Sequence, residues 1–443
     1  MENNTNKMVQ DYELQPVPMD HRKGWGKLSV VWLGGIVALS ATALGGALGA
    51  GMSMSSAVIA TFIGCFLLAI LSSLCSIVGA KTGLSTPLVS MFALGRYGSY
   101  AVSSIIAISL FGWFGVQLDL FGASLHSVLM NVFQIDINQK VLVVIGGILM
   151  TTTAFIGYKA IEKLSVFAVP LLGILLVASL IRVLKGSSFS EVMAAPLTSD
   201  PITIGVAISL IIGSLAAGAI IGPDISRYAK TPKDAVISSF VGFFGGFSIV
   251  LIIAAILAKA TSQVDIVAIM LGLGWGTAAM LILILAQWTT NDNNLYSSSL
   301  GFSVIFNNTP KYKLTIAAGF IGTMMAVGGI YTNFIPFLSF LSALIPPIGG
   351  VYAADYLSNR EKYSFANLKN QPTIYPVSIL IWGLATLVAF TTSPAPNGFG
   401  LFTLTGASGF DAFLVAFVLQ LVATKLLPNS KTSNHAIKKE IIK

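Results

Sequence analysis

Charged side chains make up only 9% of this 443-residue chain, against 55% hydrophobic residues. Soluble domains carry charge on about a quarter of their positions, so this scarcity excludes an ordinary soluble globule. Cysteine is equally sparse. Cys65 and Cys75 lie ten residues apart on one apolar stretch, about 15 Å along a helix axis and too far to pair. The three histidines, His21, His126 and His435, are scattered and supply no ligand set for a metal site. The chain also has no GxxxxGK[ST] loop, HExxH or GxSxG, which argues against an ATP-driven pump and a membrane hydrolase.

What the chain does have is apolar stretches long enough to cross a hydrocarbon core, each needing about 20 residues as a helix. Twelve are expected, at about 30–52, 57–79, 99–127, 141–158, 164–184, 202–222, 236–260, 275–300, 314–330, 333–354, 374–392 and 409–427. The alternating ten-residue pattern of a β-barrel is absent. The expected class is therefore an all-α integral membrane protein with twelve transmembrane helices.

The net charge of +8 does not point to nucleic acid, because 21 of the 25 Lys and Arg fall in the tails and in the loops after spans 2, 4, 6, 8 and 10. Only Lys140, Arg182, Lys185 and Lys259 fall on the other side. The positive-inside rule and an even number of spans place both termini in the cytoplasm and the protein in the cell (inner or plasma) membrane. Residues 1–28 read as a polar cytoplasmic tail and not a signal peptide, 29–428 as one transmembrane domain, and 429–443 as a solvated basic tail able to touch anionic membrane lipid.

Glycine interrupts spans 1 and 6, which read "LGGIVALSATALGGALGAGMS" and "ISLIIGSLAAGAIIGPDISRYAK". Each glycine weakens a helix by about 1 kcal/mol relative to alanine. Interrupted spans in matching positions of two halves point to a binding site between inverted repeats. They stand five spans apart, so a repeat of five would be inverted: repeat one about 29–185, repeat two about 200–355, and helices 11 and 12 added at about 373–428. Small residues also let helices pack closely, and the pattern alone carries both readings.

Span 3 places Trp113 and Gln117 four residues apart on one helix face. An aromatic plane beside an amide is what a planar heterocycle needs, since stacking holds the ring while the amide reads its edge. The alternative is a tryptophan used for packing. Asp119 and His126 lie about 10 Å apart along the helix, too far for a relay, so Asp119 is expected to pair with a neighbouring helix and His126 to lie near the outer surface. In "GPDISRYAK", Asp224 and Arg227 stand one turn apart behind Pro223 and read as a structural latch. Span 8 continues from "TAAMLILIL" into "LAQWTTNDNNLYSSS", where Gln287, Asn291, Asn294 and Ser298 form one stripe expected to face a substrate cavity and its exit.

Four segments, "GAKTGLSTPLVSMFALGRYGS", "GWFGVQ", "GPDISRYAK" and "QWTTNDNNLYSSSLGFS", together resemble the nucleobase–cation symporter family 1, which includes cytosine permeases and hydantoin transporters. The resemblance covers spans 1 to 10 and implies the leucine-transporter architecture: a 5+5 inverted repeat, broken helices 1 and 6, and a substrate site at the midplane. It implies substrate contacts from Ser40, Trp113, Gln117, the helix 6 break at Gly213, Ser214 and Leu215, and from Asn291 and Asn294. Trp113 matches the family's stacking tryptophan, and Gln117 matches the glutamine of the hydantoin branch. Where the cytosine branch has its glutamine this chain has Leu110, and the second ring-stacking position is Leu215. A sodium site is implied at Gly35 and Ala38 of helix 1 with Ala286, Thr289 and Thr290 of span 8, which meet the family spacing A-x-x-[ST]-[ST]. Oxygens of that kind suit a small hard cation.

The sequence thus reads as a secondary transporter, not an enzyme, acting as a monomer. It would import a nucleobase or related planar heterocycle of the cytosine/purine type by symport with sodium and without a cofactor. Helices 1, 2, 6 and 7 would rock against 3, 4, 8 and 9, with helix 10 and the loop after span 7 as gates, as the resemblance implies. The rival is a proton-coupled permease for hydantoin, allantoin or hydroxymethylpyrimidine, with Asp119, Asp224 and Asp292 as carriers. A channel would need a continuous polar stripe and a membrane enzyme a reactive constellation, and the sequence offers neither.

Overall fold

A computed structural model of the chain describes residues 12, 15–156, 158–186, 188–306 and 308–426. His435 and the tail expected at 429–443 lie outside the described residues. The architecture is all-α, with only an isolated bridge between Lys23 and Ala229 among the described residues.

The first expected span is two helices, α1 (Trp25–Ile36) and α2 (Leu39–Gly51), bent by 66° at their junction. Then come α3 (Met54–Thr82), α4 (Thr86–Phe133), α5 (Gln139–Ile156), α6 (Tyr158–Gly186) and a short α7 (Phe189–Ala194). The next are α8 (Ile204–Ile220), α9 (Gly222–Ser226) and α10 (Pro232–Ser239), the last running through a π-helical segment, Phe240–Gly246, into α11 (Phe247–Thr261). The chain ends with α12 (Ile266–Gly272), α13 (Gly276–Ile305), α14 (Lys311–Val327), α15 (Phe334–Leu344), α16 (Pro346–Ser358), α17 (Pro376–Thr392) and α18 (Ser408–Leu426). Among the described residues, five continuous helices are long and apolar enough to cross a membrane, and the bent pair of α1 and α2 makes a sixth. The 30-residue α13 is not among them, because its second half carries the polar run of span 8.

Two sets of contacts organise the bundle. On one side α2 packs against α11, and α3 against α8 and α9; on the other α4 packs against α13 and α14, and α5 against α14 and α13. The glycines of the first span divide between two uses. A Cβ on Gly45 would come within 2.6 Å of the Leu251 carbonyl, and one on Gly49 within 2.6 Å of the Ala255 carbonyl, so these two let α2 lie directly on the backbone of α11. Gly34 and Gly35 have nothing within 4 Å and stand beside the bend.

One expectation changes. The segment after span 2 is not a loop: Thr86 to Leu94 is helical, started at Ser85 with Pro87 in the first turn. It joins the long part of α4 across Gly95, whose φ of 82° no other residue adopts easily. There the chain meets the 372–375 segment, where Arg96 N donates to Pro372 O and Tyr97 N to Thr373 O. The described part of the N-terminal tail is docked and not free. Val17 N donates to Gly83 O, Lys23 N to Tyr228 O, and the Arg22 guanidinium to Ala80 O at 2.7 Å. That carbonyl belongs to the last turn of α3, where a cation is favoured.

In the latch of "GPDISRYAK" the expected pair meets through the backbone, Arg227 Nε donating to Asp224 O at 3.1 Å, and both side chains also reach other elements. Asp224 Oδ1 accepts from Thr86 N at 2.8 Å at the start of α4, and Arg227 Nη1 donates to Tyr12 O at 2.7 Å. From the packing, Gly49→Val should destabilise the protein by about 1–3 kcal/mol through overpacking on α11, while Gly34→Ala should be neutral or stabilising by up to about 1 kcal/mol. Melting temperatures of the two purified variants check the contrast, and equal losses would contradict it.

Candidate functional site

The bend between α1 and α2 is a gap in a hydrogen-bond ladder. Val37 (φ −77°, ψ 83°) and Ala38 (φ −132°, ψ 159°) leave helical geometry. Val37 N still reaches Leu33 O, but Ala38 N turns to Ile36 O, and Ala41 N and Thr42 N both return to Ala38 O. Among the described residues, no backbone N–H beyond the bend returns to Gly34, Gly35 or Val37. Their carbonyls are therefore open to another partner. The second interruption is at Leu215 (φ −121°, ψ 16°) inside α8, one residue after Ser214, whose hydroxyl donates to Ile211 O at 2.7 Å.

Between the two interruptions, α4 and α13 enclose a cavity of about 150 Å³. It brings together Gly35, Ala38 and Ser40 from the first bend, Trp113 and Gln117 from α4, Ser214 and Leu215 from α8, and Thr290 and Asn294 from α13. No lining side chain is charged. The volume falls below the roughly 300–1,000 Å³ of drug-sized sites, so the space suits a small neutral molecule. Trp113 is 8% exposed and is held by edge contacts to Phe334 and Phe337 of α15, with ring centroids 6.0 and 5.5 Å away. Gln117 is 1% exposed and its Oε1 has no hydrogen-bond partner. An unpartnered buried amide oxygen is costly, and here it lies on the wall of a cavity beside an aromatic ring.

Four expected site residues lie off this wall. Gly213 faces α15, where any Cβ would overlap the Leu338 carbonyl. Its role is close approach, not substrate contact. Asn291 is fully buried, and its Nδ2 donates to Met150 Sδ of α5 at 3.2 Å. The Ala286 carbonyl accepts from the hydroxyls of Thr289 and Thr290 at 3.1 and 2.9 Å, and Ala286 and Thr289 are buried just behind Thr290. Sequence reading passed over Phe247 of α11 and Gly218 of α8, which also line the cavity. Gly218 stands one turn after Ser214, a spacing that could have found it. Phe247 sits in an aromatic run of which only structure distinguishes one ring from the others.

The polar run of α13 corrects the expected stripe. Gln287 Nε2 donates to Ser124 Oγ at 3.0 Å and Ser298 Oγ to Ala107 O at 2.9 Å, both on α4. With Asn291 on α5, the stripe is a packing seam, and only Asn294 of the four reaches the cavity. Trp288 Nε1 donates to Thr153 Oγ1 at 3.0 Å, and that hydroxyl donates to Asp292 Oδ1 at 2.9 Å. Asp119 accepts from Gln139 Nε2 and Tyr331 N, each at 3.1 Å. His126 Nδ1 lies 2.7 Å from Ile137 O. None of the three is on the cavity wall.

An uncharged cavity set where membrane helices are interrupted is the arrangement of a carrier of small solutes. The chain belongs to the family described as permeases for cytosine/purines, uracil, thiamine and allantoin, whose sequence model matches residues 16–422. It is 37% identical over 365 residues to the cytosine permease of Escherichia coli strain K12, covering 82% of this chain and 85% of that protein. Its fold is similar to that of Mhp1 in an inward-facing conformation, with a TM-score of 0.80, 20% identity, and coverage of 94% of this chain and 93% of that one. Mhp1 in a closed conformation with bromovinylhydantoin bound, described as a nucleobase-cation-symport-1 family transporter, gives a TM-score of 0.74 at 19% identity, covering 94% and 96%.

The two asparagines of α13 provide a test of these placements. Asn294→Leu should raise the KM of uptake by about tenfold, the worth of one good hydrogen bond, while Asn291→Leu should leave KM unchanged. Equal effects in a transport assay would contradict the assigned faces.

Proposed function

We propose that the chain is a twelve-span secondary transporter that imports a nucleobase or related planar heterocycle of the cytosine/purine type by symport with sodium. The observation that carries the substrate class is the orphaned Gln117 Oε1 beside the Trp113 ring in an uncharged cavity. A ring N–H or exocyclic amine of a heterocycle satisfies the amide while the ring lies on the indole. The name of the cytosine permease relative supports the same class.

The twelve spans and the 5+5 repeat draw support from the packing. If the first five spans and the next five are related by a pseudo-twofold axis, the contact of span 1 with span 7 must recur as span 6 with span 2. The contact of span 3 with span 9 must recur as span 8 with span 4. The pairs α2 with α11 and α8 with α3 follow the first rule, and α4 with α14 and α13 with α5 the second. Both termini then lie in the cytoplasm, consistent with the lysine and arginine bias of the loops.

Sodium is favoured by the oxygen donors available. The freed Gly35 and Val37 carbonyls and the Thr289 and Thr290 hydroxyls, which use their protons on Ala286 O, have lone pairs to offer. The Ala38 carbonyl already accepts two N–H groups, which shifts the helix 1 contribution towards Gly35 and Val37. Proton coupling would need a carrier in contact with the cavity. Asp119, Asp224 and Asp292 are instead off its wall and bonded to donors.

Uptake of labelled cytosine, hypoxanthine and hydantoin into proteoliposomes tests this reading. Trp113→Ala should lower kcat/KM for the transported heterocycle on the order of 100-fold, from the loss of about 2–3 kcal/mol of ring contact, and Trp113→Phe should recover much of it. Normal saturable uptake by Trp113→Ala would refute the stacking role.

A further inference from the structure

A second cavity, about 220 Å³ in volume, lies at one end of the bundle between the C-terminal ends of α16 and α18 and the start of α17. It shares no lining residue with the first cavity. Its wall is polar where helix ends meet, and it contains one acid and one base. Lys362 Nζ donates to Asp355 Oδ2 at 3.1 Å, with side chains 15% and 5% exposed, and lies 4.3 Å from the centre of the Tyr375 ring. Asp355 also accepts from Tyr363 OH at 2.7 Å and Asn359 Nδ2 at 3.2 Å. With this pair balanced, the cavity has no net formal charge to match a simple anion or cation.

Its two sides nevertheless differ in sign. On one side α17 begins without a side-chain cap, so the N–H groups of Val377 and Ser378, both lining the cavity, have no intrahelical acceptor. With the ammonium of Lys362 they favour an anionic group. On the other side are Asp355 and Gln420, a residue only 4% exposed whose Oε1 has no hydrogen-bond partner. The Gln420 oxygen calls for a donor, Asp355 adds negative charge beside it, and the last turn of α18 adds the negative end of a helix. The flanking faces are apolar and open: Leu380 is 61% exposed and Val422 46%. In a multi-pass membrane protein such faces meet acyl chains.

We propose that this cavity binds the headgroup of an aminophospholipid. The phosphate sits at Lys362 and the first turn of α17, and the primary ammonium sits at Gln420 Oε1 and Asp355. A choline headgroup has no N–H to give Gln420, and a glycerol headgroup has no cation.

Melting of the full-length protein in detergent, with and without added lipid, tests the site. Phosphatidylethanolamine should raise Tm by several degrees and saturate, whereas phosphatidylcholine and phosphatidylglycerol at the same mole fraction should not. Lys362→Gln and Gln420→Leu should remove most of the shift. If Lys362→Gln fails to fold, Gln420→Leu decides alone, because deleting a buried oxygen with no partner should leave the lipid-free protein at or above the wild-type Tm. Equal shifts from all three lipids, or a full phosphatidylethanolamine shift in Gln420→Leu, would overturn the proposal. An equal shift from free phosphoethanolamine would overturn the lipid as occupant.

Discussion

Inside a bilayer every backbone N–H and C=O must find a partner within the protein, because lipid offers none. That constraint decides where this chain can be irregular. The ladder fails at Val37 and Ala38, α8 kinks at Leu215, and both irregularities face the same uncharged cavity. Carbonyls freed at the first bend are tolerable only where a polar guest can reach them. The interruption of the helices and the presence of a binding site are thus two descriptions of one physical requirement.

The same constraint governs side chains. The polar run of α13 fits at membrane depth because most of its side chains bond to neighbouring helices, while the amide oxygens Gln287 Oε1 and Asn291 Oδ1 stay buried without a partner. Gln287 and Ser298 bond to α4, Asn291 to α5, and Trp288 and Asp292 meet at Thr153. Only Thr290 and Asn294 of this run remain on the cavity wall. A helix too polar to count as a span on its own is thereby stabilised by its neighbours. On α4, Gln117 combines a buried, unmatched amide oxygen with a place on the cavity wall, which Gln287 and Asn291 do not.

Much of this arrangement was legible in the sequence, and the remainder was not for identifiable reasons. Trp113 and Gln117 share a face because four residues make about one helical turn, so their common position needed no tertiary information. The interruption of span 1 was readable from its glycines, but their two uses were not: Gly45 and Gly49 serve close packing and Gly35 the open bend. A glycine reads the same in both. Asn291 and Asn294 were both assigned to the substrate, yet three residues turn a helix by about 300°, and which face meets the cavity depends on how α13 is rotated against α4 and α5. The helix from Thr86 to Leu94 is not legible in the sequence because Gly95 breaks the pattern that would join it to span 3.

If the freed carbonyls of the first bend and the hydroxyls of α13 hold a cation beside the heterocycle, the two ligands must strengthen each other by the same factor, as linkage requires. The direct measurement is the Kd of the transported heterocycle, by calorimetry, with sodium against a potassium control, for the wild type and for the Thr289→Ala, Thr290→Ala double variant. The account predicts at least about fivefold tighter binding with sodium in the wild type and no sodium effect in the variant. A Kd independent of sodium in the wild type, or an undiminished sodium effect in the variant, would contradict it.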